Sequence, residues 1–209
     1  MTAIQETLTH IRQVQKYLHM VAAKLMERAR VHDVSKLCEP ELSTFDEFTG
    51  KLKHSTYGSD EYKGFLAAMK PALDHHYANN RHHPEHFGLH ICIQCGADDR
   101  VEPCMCGGPR RADMSRMTLL DLIEMFVDWK AATERHANGD LDKSITTNKQ
   151  RFGYGDELES IFRATASELW PKHMEPWHCL GCGMGGCDMN FCSQCGAGKN
   201  DYIRQEASE

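Results

Sequence analysis

Apolar side chains recur every three or four positions over residues 3–30, which is the pattern of an amphipathic helix. The stripe consists of Ile4, Leu8, Ile11, Val14, Leu18, Val21, Ala22, Leu25 and Met26. Because no Gly or Pro interrupts this stretch, the pattern predicts helix throughout, as one helix or as two.

Two more helical patterns follow. Residues 40–49 begin with Pro40, a residue that favours the first turn of a helix, and we expect this helix to end at Gly50. Residues 59–79 predict a third helix, which Pro71 should end or kink because proline lacks the amide hydrogen that an inner turn needs.

Helical spacing returns after a segment rich in Gly, Cys and Pro at residues 88–110. A helix is predicted from Ser115 or Thr118 to about residue 137, with Thr118 as N-cap and Asp121 three residues later as in a capping box. A last helix is predicted over residues 155–169.

The pattern therefore predicts an all-α core of about five or six helices that carries two small cysteine modules of the β-hairpin type. We expect residues 1–87 and 111–172 to form the helical domain, residues 88–110 to form an inserted module, and residues 173–209 to form a C-terminal module with a polar tail.

Composition places the chain among ordinary soluble proteins, with 41% hydrophobic and 26% charged residues over 209 positions. No apolar stretch approaches the roughly 18–20 residues of a membrane span, and the first residues lack the pattern of a signal peptide. We therefore expect a cytoplasmic protein without a membrane partner. The net charge of −6 argues against nucleic-acid binding through charge alone.

Eight of the ten cysteines fall into two sets of four. The first set is Cys92, Cys95, Cys104 and Cys106, and the second is Cys179, Cys182, Cys192 and Cys195. Glycine follows each of the three Cys-x-x-Cys pairs, where it lets backbone amides turn toward the sulfurs. Each set predicts a structural zinc site closed by four thiolates. In the C-terminal set, His178 or Cys187 is an alternative ligand, and a stabilising role is favoured over nucleic-acid binding.

Histidine doublets are the second chemical signal. His-Asp stands at residues 32–33, and His-His stands at residues 75–76 and again at 82–83. Each buried imidazole needs partners, and this many within 55 residues exceeds what a core requires. Imidazole and carboxylate together bind manganese, iron, cobalt, nickel or zinc, so we predict a divalent metal site.

Carboxylates on the helix near residue 120 complete the set. Asp121, Glu124 and Asp128 are spaced three and four apart and therefore share one helix face. With a histidine cluster in need of a carboxylate, Asp128 is a predicted ligand. Glu124 is predicted either to hydrogen-bond a metal ligand and so orient it, or to act in acid–base catalysis.

These motifs resemble the HD superfamily of metal-dependent phosphohydrolases, and more closely an uncharacterised HD-like family from phages and bacteria. The resemblance covers roughly residues 8–150. The motifs that carry it are His32-Asp33-Val34-Ser35-Lys36, Asp46-Glu47-Phe48, His75-His76 through His82-His83, and Glu124-Met125 through Asp128-Trp129. The cysteine modules are additional to the family's pattern.

The resemblance implies a first histidine ligand about one helix before His32. His10 fits that motif best, and His19 is the alternative. His10 precedes His32 by 22 residues, which in one straight helix is about 33 Å. Either the helix breaks near His19 or His10 is not a ligand.

The resemblance further implies two cations, the first held by His10 or His19 with His32, Asp33 and Asp128. Asp33 would bridge to a second cation held by histidines from His75, His76, His82 and His83. Lys36 and Arg81 would clamp the phosphate of a small phosphorylated substrate such as a nucleotide, and Glu124 would orient or deprotonate the attacking water.

Two alternatives stay open. The chain could be a zinc-ribbon adaptor for nucleic acid or protein with a metal site that does not turn over substrate, or a di-iron oxygenase on the same helical scaffold. The sequence leaves the oligomeric state undecided.

Overall fold

The structure, a computed structural model, describes residues 2–55, 59–135 and 139–171 and is mostly helical there, which confirms the all-α prediction. The α-helices are α1 (Ala3–Val31), α2 (Leu42–His54), α3 (Asp60–Ala68), α4 (Lys70–Asn79), α5 (Leu119–Thr133), α6 (Leu141–Phe152) and α7 (Asp156–Leu169). The strands are β1 (Leu89–Cys92) and β2 (Arg110–Ala112), and short 3₁₀ helices span Val34–Leu37, Pro84–Phe87 and Met114–Arg116.

The chain divides into two compact units. The first holds Met1–Gly139 together with Arg151–Gly153, and the second holds Asp140–Gln150 together with Tyr154–Glu209. All residues of the two metal-ligand clusters described below belong to the first unit. The domain boundaries expected from the sequence stay predictions.

Helix α1 is one unbroken helix, in agreement with the periodicity of its apolar stripe. Its start is set by a capping box, in which Thr2 accepts from the amide of Gln5 and the Gln5 side chain accepts from the amide of Thr2. No residue of α1 is buried, and Leu18 is 62% exposed. Within the described residues, no helix is both long and apolar enough to cross a membrane.

Helix α2 begins and ends later than expected. It runs through Gly50 to His54, so the expectation that Gly50 ends the helix is wrong. A glycine costs an inner turn only about 1 kcal/mol, which flanking contacts can offset. Pro71 acts as expected: the 59–79 pattern divides at Met69 into α3 and α4, with the proline in the first turn of α4.

The inserted segment forms a hairpin in which β1 and β2 pair antiparallel. Helix α5 follows with the predicted capping box, since Thr118 accepts from the amide of Asp121 while the Asp121 carboxylate accepts from the amide of Thr118. The core of the first unit contains Met69, Met125, Phe126 and Trp129.

The second unit shows a helix that the sequence patterns did not predict. Helix α6 is polar overall, and Ile145 is its fully buried apolar residue. Tyr154 donates to the carbonyl of Ile145 at 2.6 Å and packs edge-on against Phe162 of α7. With so few apolar positions, the α6 segment shows no clear helical period in its sequence, and the helix was therefore not predicted.

Candidate metal centre

The His-Asp pair sits where helix α1 ends. His32 is the C-cap, and Asp33 adopts φ 56° and ψ 13°, the only positive φ of a non-glycine residue within the described ranges. Neighbours on an intact helix project about 100° apart. The left-handed turn at Asp33, which Asp tolerates better than most residues, brings His32 Nε2 within 3.7 Å of Asp33 Oδ2.

Helix α4 and the turn after it add three more imidazoles. The Nε2 atoms of His76 and His82 lie 3.3 and 3.4 Å from Asp33 Oδ1. The Nε2 atom of His83 lies 2.9 Å from that of His76. One ligand atom from each of Asp33, His76, His82 and His83 thus lies within 4.8 Å of the others, a group that could hold a metal ion.

A second group shares Asp33. Asp128, on α5, places Oδ1 3.6 Å from His32 Nε2, and Asp33 completes the set with His32 and Asp128. Since Asp33 Oδ1 faces the histidines of the first group and Oδ2 faces His32, the carboxylate lies between two ligand sets. We call the two groups together the His/Asp centre.

Carboxylates behind the imidazoles determine which nitrogen faces the centre. Glu124 Oε1 accepts from His32 Nδ1 at 3.1 Å and lies 3.2 Å from His82 Nδ1. Glu41 Oε2 accepts from His76 Nδ1 at 2.8 Å. Because an ionised carboxylate only accepts, we assign the proton to Nδ1 in each ring, which leaves the Nε2 lone pair as a ligand.

Two atoms at the centre are buried without a hydrogen-bond partner. They are Asp33 Oδ1 and His82 Nε2, and Glu85 Oε2 is the third such side-chain atom in the part of the chain that the structure describes. Buried polar atoms almost always have a partner. An orphaned oxygen and an orphaned nitrogen that face each other at 3.4 Å, among further ligand atoms, fit a bound cation.

The pKa values of His32 and Asp33 show that the centre favours positive charge. Hydrogen bonds to Asp128 and then Glu124 raise the pKa of His32 to about 10. Burial alone would raise the pKa of Asp33, but the nearby imidazoles of His76 and His82 and the hydrogen bond from Lys36 outweigh burial and hold that pKa far below its usual range. Burial, followed by the charges of His82 and His76, lowers the pKa of His83 to about 3.

The structure does not bring every predicted residue to this centre. His10 and the alternative His19 lie on the exposed, unbroken part of α1, so the expectation that His10 is the first ligand is corrected by helix geometry. His75 donates its Nδ1 proton to Glu41 at 2.7 Å and is 40% exposed, outside both ligand groups.

The two predicted phosphate clamps have protein partners. Lys36 donates to Asp33 Oδ2 at 2.6 Å and lies over the ring of Phe45. Arg81 donates to Asp121 at 3.0 Å and stacks over Phe87. Lys36 is therefore at the centre, whereas Arg81 supports the helix that carries Asp128.

Sequence reasoning missed the supporting residues. Glu41 is fully buried and also accepts from Ser35 at 3.0 Å. Arg28 donates to both Asp121 and Glu124, at 2.8 and 2.9 Å. The one available signal was the need of each buried imidazole for an acceptor, but no spacing rule points from residue 76 to residue 41.

The four cysteines of the inserted hairpin, at positions 92, 95, 104 and 106, form a separate group that we call the thiolate cluster. The Sγ atoms of Cys92 and Cys106, and those of Cys95 and Cys104, lie 3.4 Å apart, and those of Cys104 and Cys106 lie 3.1 Å apart. A hydrogen bond from the Cys95 amide lowers the pKa of Cys92 to about 6, toward the thiolate that binds metal. This cluster could hold a metal ion.

Gly96 follows the first pair of cysteines and shows why the turn needs glycine. Its φ of 75° is unfavourable for residues with a Cβ, and its amide donates to the carbonyl of Cys92 at 2.9 Å. The second predicted set, Cys179, Cys182, Cys192 and Cys195, lies with His178 and Cys187 outside the described residues.

Comparison with known proteins assigns the family. Residues 1–172 match a family described as a family of unknown function (DUF5662), and the chain belongs to that family. No curated protein and no solved structure gives a significant match.

Proposed function

We propose that this member of the DUF5662 family is a metal-dependent phosphohydrolase with an HD-like helical domain, which acts on a small phosphate ester such as a nucleotide. The observation that carries the proposal is the pair of orphaned buried atoms, Asp33 Oδ1 and His82 Nε2, at the point where six ligand residues converge. Neutral core packing would leave neither atom without a partner.

The ligand residues divide into two sets that share Asp33. His76, His82 and His83 would hold one divalent cation with Asp33, and His32 and Asp128 would hold another. When bound, such cations polarise a phosphoryl group and lower the pKa of a water molecule. The nitrogen-rich set suits manganese, iron, cobalt, nickel or zinc.

The other residues position these ligands. Glu124 holds the Nδ1 protons of His32 and His82, and Glu41 holds that of His76, so that all three Nε2 atoms face the centre. Lys36, 2.6 Å from Asp33, supplies a positive charge that suits a phosphate oxygen. Glu124 thus acts in this proposal as a positioning residue.

The thiolate cluster has a different role in the proposal. Four thiolates from one hairpin would bind zinc in a closed site and stabilise a segment too small to have a core of its own. We propose the same role for the C-terminal cysteine set, as a zinc ribbon.

The test combines elemental analysis with phosphate release. Purified full-length protein should contain zinc and one or two further divalent cations per chain, and with manganese it should release phosphate from members of a panel of nucleoside and other phosphomonoesters. Asp33→Asn, which keeps a side chain tolerant of the left-handed backbone, should abolish release while zinc remains bound.

Three results would contradict the proposal. Two zinc ions per chain and no further metal, with no release from any ester, would remove the basis for a hydrolase. Tight nucleic-acid binding without turnover would favour the adaptor. Oxygen consumption with ferrous iron, again without phosphate release, would favour a di-iron oxygenase on this ligand set.

A further inference from the structure

A cavity of about 1070 Å³ opens beside the His/Asp centre. His32, Asp33 and Lys36 are among its lining residues, so two residues of the His/Asp centre border the cavity directly. Small-molecule sites usually measure roughly 300–1,000 Å³, which is far more than a phosphoryl group occupies. The cavity therefore has room for a large organic group attached to that phosphoryl.

Part of the cavity lining is apolar, and this part is called the apolar wall. Val34, Leu37 and Leu42 line the cavity and are 43%, 70% and 42% exposed. Exposed apolar side chains that stand together beside a polar centre are typical of a ligand-binding groove, because covering them by a ligand removes them from water. A single exposed apolar residue would carry no such meaning, but three that line one cavity do.

Phe45 joins the apolar wall to the centre. Its ring lines the cavity and lies edge-on to His76, with centroids 5.8 Å apart, and Lys36 Nζ lies 5.1 Å from the ring centroid. An organic group bonded to a phosphate at the centre could therefore contact this ring. Leu52 and Tyr62 continue the lining beyond it.

We infer that this cavity binds the organic part of a phosphate monoester whose body is bulky and largely apolar, with an aromatic ring favoured over a short polyol. The inference rests on the proposed function, which places the phosphate at the His/Asp centre. The residues that line the cavity then indicate which organic group the substrate carries. A short polyol phosphate would leave the apolar wall exposed to water and would gain no binding free energy from covering it. Lys53 and Arg135 also line the cavity, opposed there by the carboxylate of Asp46, and this balance of charge suits a ligand that is anionic overall.

The test measures binding, not turnover, on manganese-loaded full-length protein. The probes are methylphosphonate and naphthylmethylphosphonate, which carry the same anionic head and resist hydrolysis. By isothermal titration calorimetry the naphthyl compound should bind at least about tenfold tighter, because it covers apolar wall that the methyl compound cannot reach.

Variants locate the effect. Leu42→Ala should remove most of the naphthyl advantage and leave methylphosphonate affinity within about twofold. Leu119→Ala is the matched control, since Leu119 is 70% exposed, begins α5 and does not line the cavity. If Leu42→Ala fails to fold, Leu37→Ala tests the same wall from a residue that is 70% exposed.

The results separate this inference from the proposed function. Equal affinity for the two probes, or a naphthyl advantage that survives both wall variants, would overturn the inference even in an active hydrolase. A wall-dependent naphthyl advantage would support it even if no ester were hydrolysed. In an active enzyme, kcat/KM should favour naphthyl phosphate over glycerol phosphate by a similar factor.

Discussion

The two candidate metal-binding clusters of the first unit are built in opposite ways. The thiolate cluster draws all its ligands from residues 92–106 of one hairpin, whereas the His/Asp centre draws ligands from the end of α1, from α4 and its following turn, and from α5. The thiolate cluster has four like ligands and fits a closed structural site. The His/Asp centre has mixed ligands, a shared carboxylate and an adjoining cavity, which fits an open site.

The support behind the ligands differs as well. At the thiolate cluster, the backbone amide of Cys95 is the largest influence that favours the thiolate of Cys92. At the His/Asp centre, side chains distant in sequence support the imidazoles. The carboxylate of Glu41 accepts from His76 Nδ1, and that of Glu124 accepts from His32 Nδ1. A local hairpin can supply amides, but only a folded domain can supply carboxylates from distant parts of the chain.

The strongest test of this contrast is Asp33→Asn, because Asp33 belongs to both ligand groups of the centre. We expect its affinity for manganese to fall by more than roughly a hundredfold. Zinc at the thiolate cluster should stay at the wild-type level, as measured by elemental analysis of the same sample. Equal loss of both metals would show that the two clusters are not independent.

The second-largest effect is expected on the stability of helix α5, which carries Asp128. Asp121 is fully buried, and its partners Arg28 and Arg81 are partly exposed, so Asp121→Asn should cost about 2–3 kcal/mol in the free energy of unfolding at pH 7, measured with urea. Thr118→Ser, which keeps a capping hydroxyl, is the control.

The pH dependence of that difference follows from the pKa of Asp121. Burial alone would raise this pKa, but hydrogen bonds from Arg81, Thr118 and Arg28 outweigh burial and lower it from 3.8 to about 2. A depressed pKa stabilises the fold above the unfolded value and ceases to do so as the pH falls through the folded value. The wild-type advantage should be constant above about pH 5 and shrink between about pH 4 and 2; an advantage that grows in acid would contradict the assignment.

A smaller effect is expected at Glu41. Glu41→Gln keeps the size of the side chain but can no longer offer both His75 and His76 an ionised acceptor. We expect a roughly tenfold weaker manganese affinity by calorimetry. Glu39→Gln, two residues earlier and hydrogen-bonded to the exposed Ser43, is the matched control and should bind manganese as the wild type does.

Removal of a cysteine ligand should affect the centre less. Cys95→Ser is expected to lose the zinc of the inserted hairpin while manganese affinity at the His/Asp centre stays within about twofold. Differential scanning calorimetry should show a lower melting temperature. A tenfold loss of manganese affinity would mean that the hairpin helps to build the centre.

The smallest effect is expected at His10. The HD resemblance that we infer from sequence motifs implies that His10 is a ligand, whereas the unbroken α1 places it about 33 Å along the helix from His32. His10→Ala should therefore leave the metal content and the manganese affinity unchanged, and His32→Ala should lower both. A loss of manganese in His10→Ala would require that another copy of the chain supplies this histidine.

Elements with a strong local signal were predicted from the sequence. The apolar stripe predicted α1, the Thr118 capping box predicted the start of α5, and Pro71 predicted the division between α3 and α4. Helix α6 and the passage of α2 through Gly50 were not predicted, because both depend on contacts that local propensity does not encode.

The sequence by itself determined the chemistry available to this protein. Cysteine spacing identified Cys92, Cys95, Cys104 and Cys106 as one set, since all four lie close along a chain that needs only a hairpin to bring their sulfurs together. Histidine doublets likewise indicated a metal site, but not which imidazoles take part.

The tertiary structure decided which imidazoles take part in the candidate metal site. The left-handed turn at Asp33 and the buried Glu41 and Glu124 decide which nitrogens face the centre, and the unbroken α1 excludes His10. The physical reason is distance along the chain: ligands separated by tens of residues meet only when helix packing orients them, and packing is a property of the whole fold.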